Sequence, residues 1–156
     1  MKKSNRRPRR FGQLPWRHIF PAVLTFLIAL PAGSLELRFR VSGIEVESGG
    51  RILAGLYASE EGFPEAGYEV GGVIIDVSGE TVEGVFTELP PGRYVVAVVH
   101  DTDGDGTMTT GFMGIPKEGY GFSGVEEAPL KPPKFNKAAV ELRDDGVVVV
   151  VPLRYM

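Results

Sequence analysis

The run Arg93–Asp101, RYVVAVVHD, carries apolar side chains on both faces of any strand it forms. A strand covered on both sides sits inside a sheet, so this segment predicts the centre of a β fold. Towards the amino terminus, Pro90-Pro91-Gly92 is a turn. Thr81–Leu89 and Val70–Val77 are strands separated by Ser78-Gly79-Glu80. Ser59–Gly67, with Phe63-Pro64, is a loop, and Arg51–Tyr57 (RILAGLY) is a strand that follows the turn Ser48-Gly49-Gly50. Leu35, Leu37, Phe39 and Val41 alternate with Glu36, Arg38, Arg40 and Ser42, the period of two of a half-buried strand. Towards the carboxyl terminus, residues 102–135 show no clear element, and Lys137–Leu142 and Val147–Leu153 read as a closing hairpin around Asp144-Asp145-Gly146. About seven strands at this spacing predict an all-β, antiparallel β-sandwich with one long Gly-rich loop. The Tyr94 side chain, just inside a strand after a tight turn, is placed to tie its hydroxyl back to the upstream backbone.

The chain of 156 residues is long enough for one domain with a real core, and 43% of it is hydrophobic, which excludes a disordered composition. With 21 glycines and 12 prolines it favours short elements and turns over long helices. Neither an internal repeat nor a linker to a second domain is visible.

Residues 1–18 are basic, Ile19–Leu30 is apolar and uncharged, and Pro31-Ala32-Gly33-Ser34 supplies small residues. That is the pattern of a secretory signal over residues 1–34, which leaves a single domain over 35–156. An uncleaved membrane anchor is the alternative, although the apolar run is short of the ~20 residues of a bilayer span. The Arg9-Arg10 pair with Phe11 directly after it fits a twin-arginine signal poorly. The expected location is therefore exported, periplasmic or extracellular, with membrane contact only through an uncleaved signal. The chain has no cysteine, which excludes disulfides, thiol chemistry and a lipid attached to cysteine.

Residues 1–34 hold seven Lys and Arg and no acid, so the remainder carries ten basic against twenty acidic residues, a net charge of −10. A body that acidic repels phosphate backbones and attracts cations, so no nucleic-acid partner is expected. The acids concentrate meaning in one place, the D-x-D-x-D-G run of Asp101, Asp103, Asp105 and Gly106. Carboxylates at alternate positions of a curled loop point inward, and Ca²⁺ takes six to eight oxygens. The expected ligands are Asp101, Asp103 and Asp105, the Thr107 carbonyl, and Thr109 through its hydroxyl or a water. The full EF-hand pattern fails, because position twelve is Phe112 and no helices flank the loop. Glu118 is near enough in sequence to reach back, but the spacing does not require it. A solvated Asp/Gly turn without metal is the competing account.

His100, the one histidine after the leader, precedes Asp101 and invites a general-base reading. No serine motif or second histidine accompanies it, and a hydrogen-bonded histidine at a strand end explains it as well. The segment Gly114–Ser123 (GIPKEGYGFS) is dense in glycine and aromatics. Phe112, Tyr120 and Phe122 with Lys117 and Glu118 either form a ligand or partner surface or pin the long loop against the sandwich.

The strings LPPGRY at 89–94, His100-Asp101 with Gly104 and Gly106, and GIPKEGYGFS at 114–123 resemble uncharacterised-domain family 2141 of bacteria. Leu56-Tyr57, Phe63-Pro64 and Pro133 with Phe135 fit it too, so the resemblance covers nearly the whole chain after the leader. It implies an exported protein of unassigned activity with a transthyretin-like or immunoglobulin-like sandwich. In the family pattern two Asn follow the first Asp at alternate positions, and a later Asp stands where this chain has Thr109. Here Asp103 and Asp105 replace those amides. The expected function is a binding or structural module stabilised by Ca²⁺ through residues 101–109, with a cell-envelope protein or glycan as partner. The alternatives are a hydrolase using His100 and Asp101, and a carrier of a small apolar ligand walled by Phe112, Tyr120 and Phe122.

Overall fold

The computed structural model describes residues 34–156, and the leader expected over 1–34 lies outside them but for Ser34. Eight strands form two sheets: β1 (Leu35–Ser42), β2 (Arg51–Tyr57), β3 (Gly71–Asp76), β4 (Thr81–Leu89), β5 (Gly92–Asp101), β6 (Gly119–Phe122), β7 (Val140–Leu142) and β8 (Val147–Pro152). One sheet has the order β4-β1-β8 and the other β3-β2-β5-β6, with β7 also on β5. The expected all-β sandwich is the observed architecture.

Alternation decides the packing. Leu37, Phe39 and Val41 of β1, with Val149 and Val151 of the neighbouring β8, face Ile52, Ala54 and Leu56 of β2 and Val96 and Val98 of β5 in one buried core. Full burial of each such side chain contributes about 1.5–3 kcal/mol, so this core carries most of the stability. Phe39 stacks on Phe86, ring centroids 5.2 Å apart, and Gly84 is glycine because a Cβ there would run into the Phe39 ring. As its two apolar faces require, β5 is central, with β2 on one edge and β6 and β7 on the other. The Tyr94 hydroxyl donates to the Pro90 carbonyl at 2.8 Å, the expected tie across the turn.

Three features differ from the sequence expectation. The closing hairpin does not form: β7 pairs with Gly92–Tyr94 of β5, while β8 crosses to the other sheet and runs parallel to β1. Leu142 and the pair Val149 and Val151 are all buried in the one core. Their strands reach it from opposite sheets, an arrangement that a hairpin would forbid. Lys137 belongs to a single helical turn, α1 (Phe135–Ala138), so the strand begins only at Val140. The stretch 102–135 contains β6, all four of whose residues are buried.

On β5 the edge opposite β2 is shared. β6 pairs with Ala97–His100 and β7 with Gly92–Tyr94, leaving Val95 and Val96 between them. Ser123 bridges this gap. Its hydroxyl accepts from Val96 N–H at 2.9 Å and donates to the Ala138 carbonyl at 2.9 Å, while its own N–H donates to the Val96 carbonyl. A fully buried serine is tolerated here because each of its polar groups has a partner.

A second apolar cluster lies on the outer face of the five-stranded sheet. Tyr57, Val95, Tyr120, Phe122, Phe135 and Ala138 form it, with Phe63 packed edge-on against Tyr57, Phe122 and Phe135. The 58–70 loop and residues 123–139 therefore cover part of that face, and what they leave uncovered is the candidate site.

Candidate functional site: an acidic loop beside an apolar groove

The loop that leaves β5 is organised around Asp101. Gly104 and Gly106 adopt left-handed conformations, φ 78° and 81°, which only glycine takes without strain. That turns their N–H groups inward, to donate to Asp101 Oδ1 at 2.7 Å and Oδ2 at 3.1 Å. Arg51, opposite Asp101 in the β2–β5 register, donates its Nε–H to Oδ2 at 2.9 Å and a second N–H to the Gly104 carbonyl at 3.0 Å. Burial pushes the Asp101 carboxyl up. The Arg51 guanidinium and the two glycine amides outweigh that and hold it below the usual carboxylate range.

Asp103 and Asp105 repeat the motif in the open. Asp103 accepts from Asp105 N–H at 3.1 Å, and Asp105 accepts from Thr107 N–H at 2.7 Å and from the Thr107 hydroxyl at 2.9 Å. The Thr109 hydroxyl lies 3.3 Å from Asp103 and 3.5 Å from Asp105. Asp101, Asp103 and Asp105 each present an oxygen within 4.8 Å of the others. The three expected Asp carboxylates and the Thr109 hydroxyl are thus brought to one place, and the Arg51 guanidinium, which nothing in the loop announces, stands against them.

Glu118 closes the loop from behind. It is buried, accepts from Thr102 N–H at 2.8 Å and from Thr109 N–H at 2.9 Å, and so joins the two ends of the turn. It does not face a ligand surface. Tyr120 and Phe122 are buried in the outer cluster, Lys117 is exposed, and Phe112 is 87% exposed at a loop tip. His100 is fully buried between the Gly49 carbonyl (2.6 Å from Nε2) and the Tyr155 hydroxyl (2.7 Å from Nδ1). The carbonyl can only accept, so Nε2 carries a proton and donates to it, while Nδ1 pairs with the Tyr155 hydroxyl. His100 and Asp101 both have all their partners inside the protein and neither meets solvent, so they cannot touch a substrate in this conformation.

Beside the loop runs a groove of about 990 Å³ on the outer face of β3, β2, β5 and β6. Its floor follows from the register: Gly72, Gly55 and Ala97 lie side by side across three strands, with Phe122 beyond them. Along the next row stand Ile74, Leu53, Val99 and Tyr120. The smallest residues thus form a trough and larger apolar ones its flank. Pro64 and Glu69 wall one side, and Gly106, Thr107, Met108 and Pro116 the other. The Tyr57 hydroxyl donates to Glu69 at 3.0 Å. Burial, then the Glu69 carboxylate, raise the Tyr57 pKa, so the phenol stays protonated.

No curated protein and no solved structure matches this chain. Residues 40–150 match the family described as uncharacterized protein conserved in bacteria (DUF2141), and the chain belongs to that family.

Proposed function

We propose that this protein is an exported β-sandwich binding module that carries a small apolar ligand in the groove of its five-stranded sheet. The observation that carries this reading is the trough left open at Gly72, beside Gly55, over which the Glu69 side chain lies, and Ala97. A glycine inside a strand weakens it, and one recurring reason to keep it is close approach of a ligand to the backbone. At about 990 Å³ the groove lies at the upper end of ligand-site volumes, large enough for an elongated molecule. Glu69 and Lys131 supply polar contacts at its margin.

Gly72→Leu tests this directly. Its backbone φ is ordinary, and the only heavy atom within 4 Å of an added Cβ is the Ala54 carbonyl oxygen at 3.9 Å. The added Cβ therefore meets no clash, and the side chain extends from the floor of the trough. Displacing contact worth two methylenes costs about 1.6 kcal/mol, roughly a fifteenfold loss in affinity for a fluorescent naphthalene probe. Melting should be unchanged or slightly raised. Equal probe binding by both proteins would remove the groove from consideration.

A second reading is favoured by the convergence of the three Asp carboxylates. In it the loop takes Ca²⁺ through Asp103, Asp105, the Thr107 carbonyl and Thr109, with Asp101 joining only by giving up bonds that its oxygens accept from Gly104, Gly106 and Arg51. Because Gly106, Thr107 and Met108 line the groove, the ion would fix that wall. Arg51 already neutralises part of the site, which argues for weak binding, roughly 0.1–1 mM as in extracellular modules. At about ten times its Kd the ion adds about 1.4 kcal/mol, a rise of a few degrees in Tm. The comparison is EGTA against millimolar Ca²⁺, with Mg²⁺ as control and Asp103→Ala alongside. A shift that Mg²⁺ reproduces would make the site unselective for Ca²⁺, and no shift in either ion would make the cluster a plain turn.

A further inference from the structure

Beyond the acidic loop the chain forms a short stiff stem. Thr110 and Pro116 make an isolated bridge, Gly111 N–H donates to the Ile115 carbonyl at 2.7 Å, and Lys117 N–H donates to the Thr109 carbonyl at 2.9 Å. The stem holds up a tip in which Phe112 is 87% and Met113 83% exposed, with Ile115 at 49%. Met113 has φ 61°, a left-handed conformation that a long side chain adopts rarely. The fold thus maintains an unfavourable backbone in order to present two large apolar side chains to the outside.

We propose that this tip is a wedge that docks onto a phospholipid surface. Its size argues against a protein partner. A phenyl side chain buries about 150–250 Å², and a Met of similar reach does not bring the pair near the ~800 Å² per partner of a stable protein interface. A lipid surface demands no complementary shape and accepts a wedge of this size. Lys117 is bound to the stem: a Cβ on Gly111 would lie 3.1 Å from its Cε. Lys131 lines the groove together with Gly114 and Pro116. Both can lay their methylenes along the acyl boundary and their ammonium groups among the phosphates. Asp103 and Asp105, in the loop that leads into the stem, oppose an anionic surface, so apolar insertion rather than charge holds the tip in place. Docking stands without any groove ligand, but Gly114 and Pro116 border both features, so a chain leaving the lipid meets the groove.

The chain has no cysteine, so Ile115→Cys in the full chain takes a single nitrobenzoxadiazole label within the tip and leaves Phe112 and Met113 in place. The label reports on the tip alone, whatever residues 1–33 contribute. With vesicles of phosphatidylcholine and a minor fraction of phosphatidylglycerol, its emission should rise, shift to the blue and be quenched by a lipid-borne quencher. The response should persist at high salt. Adding Phe112→Ala and Met113→Ala should weaken it by about tenfold or more. The same label at Glu141→Cys on β7, which pairs at the far end of β5, should not respond. A silent label at Ile115, an unchanged midpoint in the double variant, or equal responses at both positions would overturn the proposal. So would capture of an envelope protein by the tip while vesicles leave the label silent.

Discussion

Replacing Asp101 by Asn removes the charge at the root of the acidic loop and keeps its shape. The wild-type carboxylate accepts from Gly104 N–H on one oxygen and from Gly106 N–H and Arg51 on the other. An amide can keep only one acceptor oxygen. In its better orientation it faces Gly104 with an NH2 group, so one hydrogen bond to a charged acceptor is lost, worth about 1.5–3 kcal/mol. The pair with Arg51 loses its charge as well. Arg51 is 34% exposed, so solvent screening limits that loss to under about 1 kcal/mol. Together the variant should be about 2–3 kcal/mol less stable at neutral pH, a fall of roughly 6–12 °C in Tm. The loss must also depend on pH. The folded-state pKa of Asp101 is depressed, so its contribution is complete above the ordinary carboxylate pKa of about 4 and drains away as pH falls through the lower folded value. Urea unfolding of both proteins between pH 7 and pH 2 measures this. The gap should be full at pH 6–7 and close below pH 4. A gap that stays constant to pH 2, or one under 1 kcal/mol at pH 7, would refute the account of the loop.

Two further outcomes test the surrounding frame. Ser123→Ala leaves the Val96 N–H and the Ala138 carbonyl without partners in a fully buried place and should cost about 3 kcal/mol. Amide exchange at Val96 should accelerate more than at its neighbours, whereas uniform acceleration would mean that Ser123 bridges nothing. His100→Ala strips the Gly49 carbonyl of its side-chain donor, takes one of the two partners of the Tyr155 hydroxyl and opens a cavity, a loss of about 3 kcal/mol or more by chemical denaturation. Unchanged stability would contradict the structural role given to His100.

The five strands from Leu35 to Asp101 were legible because each carries either strict alternation or an apolar run, bounded by glycine or proline turns. The pairing at the carboxyl end was not. Asp144-Asp145-Gly146 is good hairpin chemistry, yet Asp145 instead accepts from Glu36 N–H at 2.9 Å beside the parallel β1–β8 pair. Local turn preference lost to burial of Leu142, Val149 and Val151 in a shared core. The acidic loop was half legible. D-x-D-x-D-G announced converging carboxylates, but Arg51 enters through the register of a strand fifty residues away, and nothing in RILAGLY points to it. The exposed tip was also hidden, since Phe112 and Met113 read like any aromatic loop waiting to be packed.

Glycine was the most misleading signal in the sequence and is the most informative one in the fold. In the five-stranded sheet the same residue type answers to different neighbours. Gly119 and Gly121 made β6 look like a loop, but each is glycine because something fills its place: the Tyr155 ring lies over Gly119 and the Pro152 carbonyl over Gly121. Gly55 meets the Glu69 side chain, where a Cβ would come within 2.9 Å of Cγ. Those absences of a side chain are repaid by packing within the chain. Gly72 has no such neighbour, for an added Cβ would find only the Ala54 carbonyl, at 3.9 Å. Sequence treats all four positions alike, as weak points in a strand. Only the register separates the three that the protein fills for itself from the one it leaves open, and that one lies on the floor of the groove.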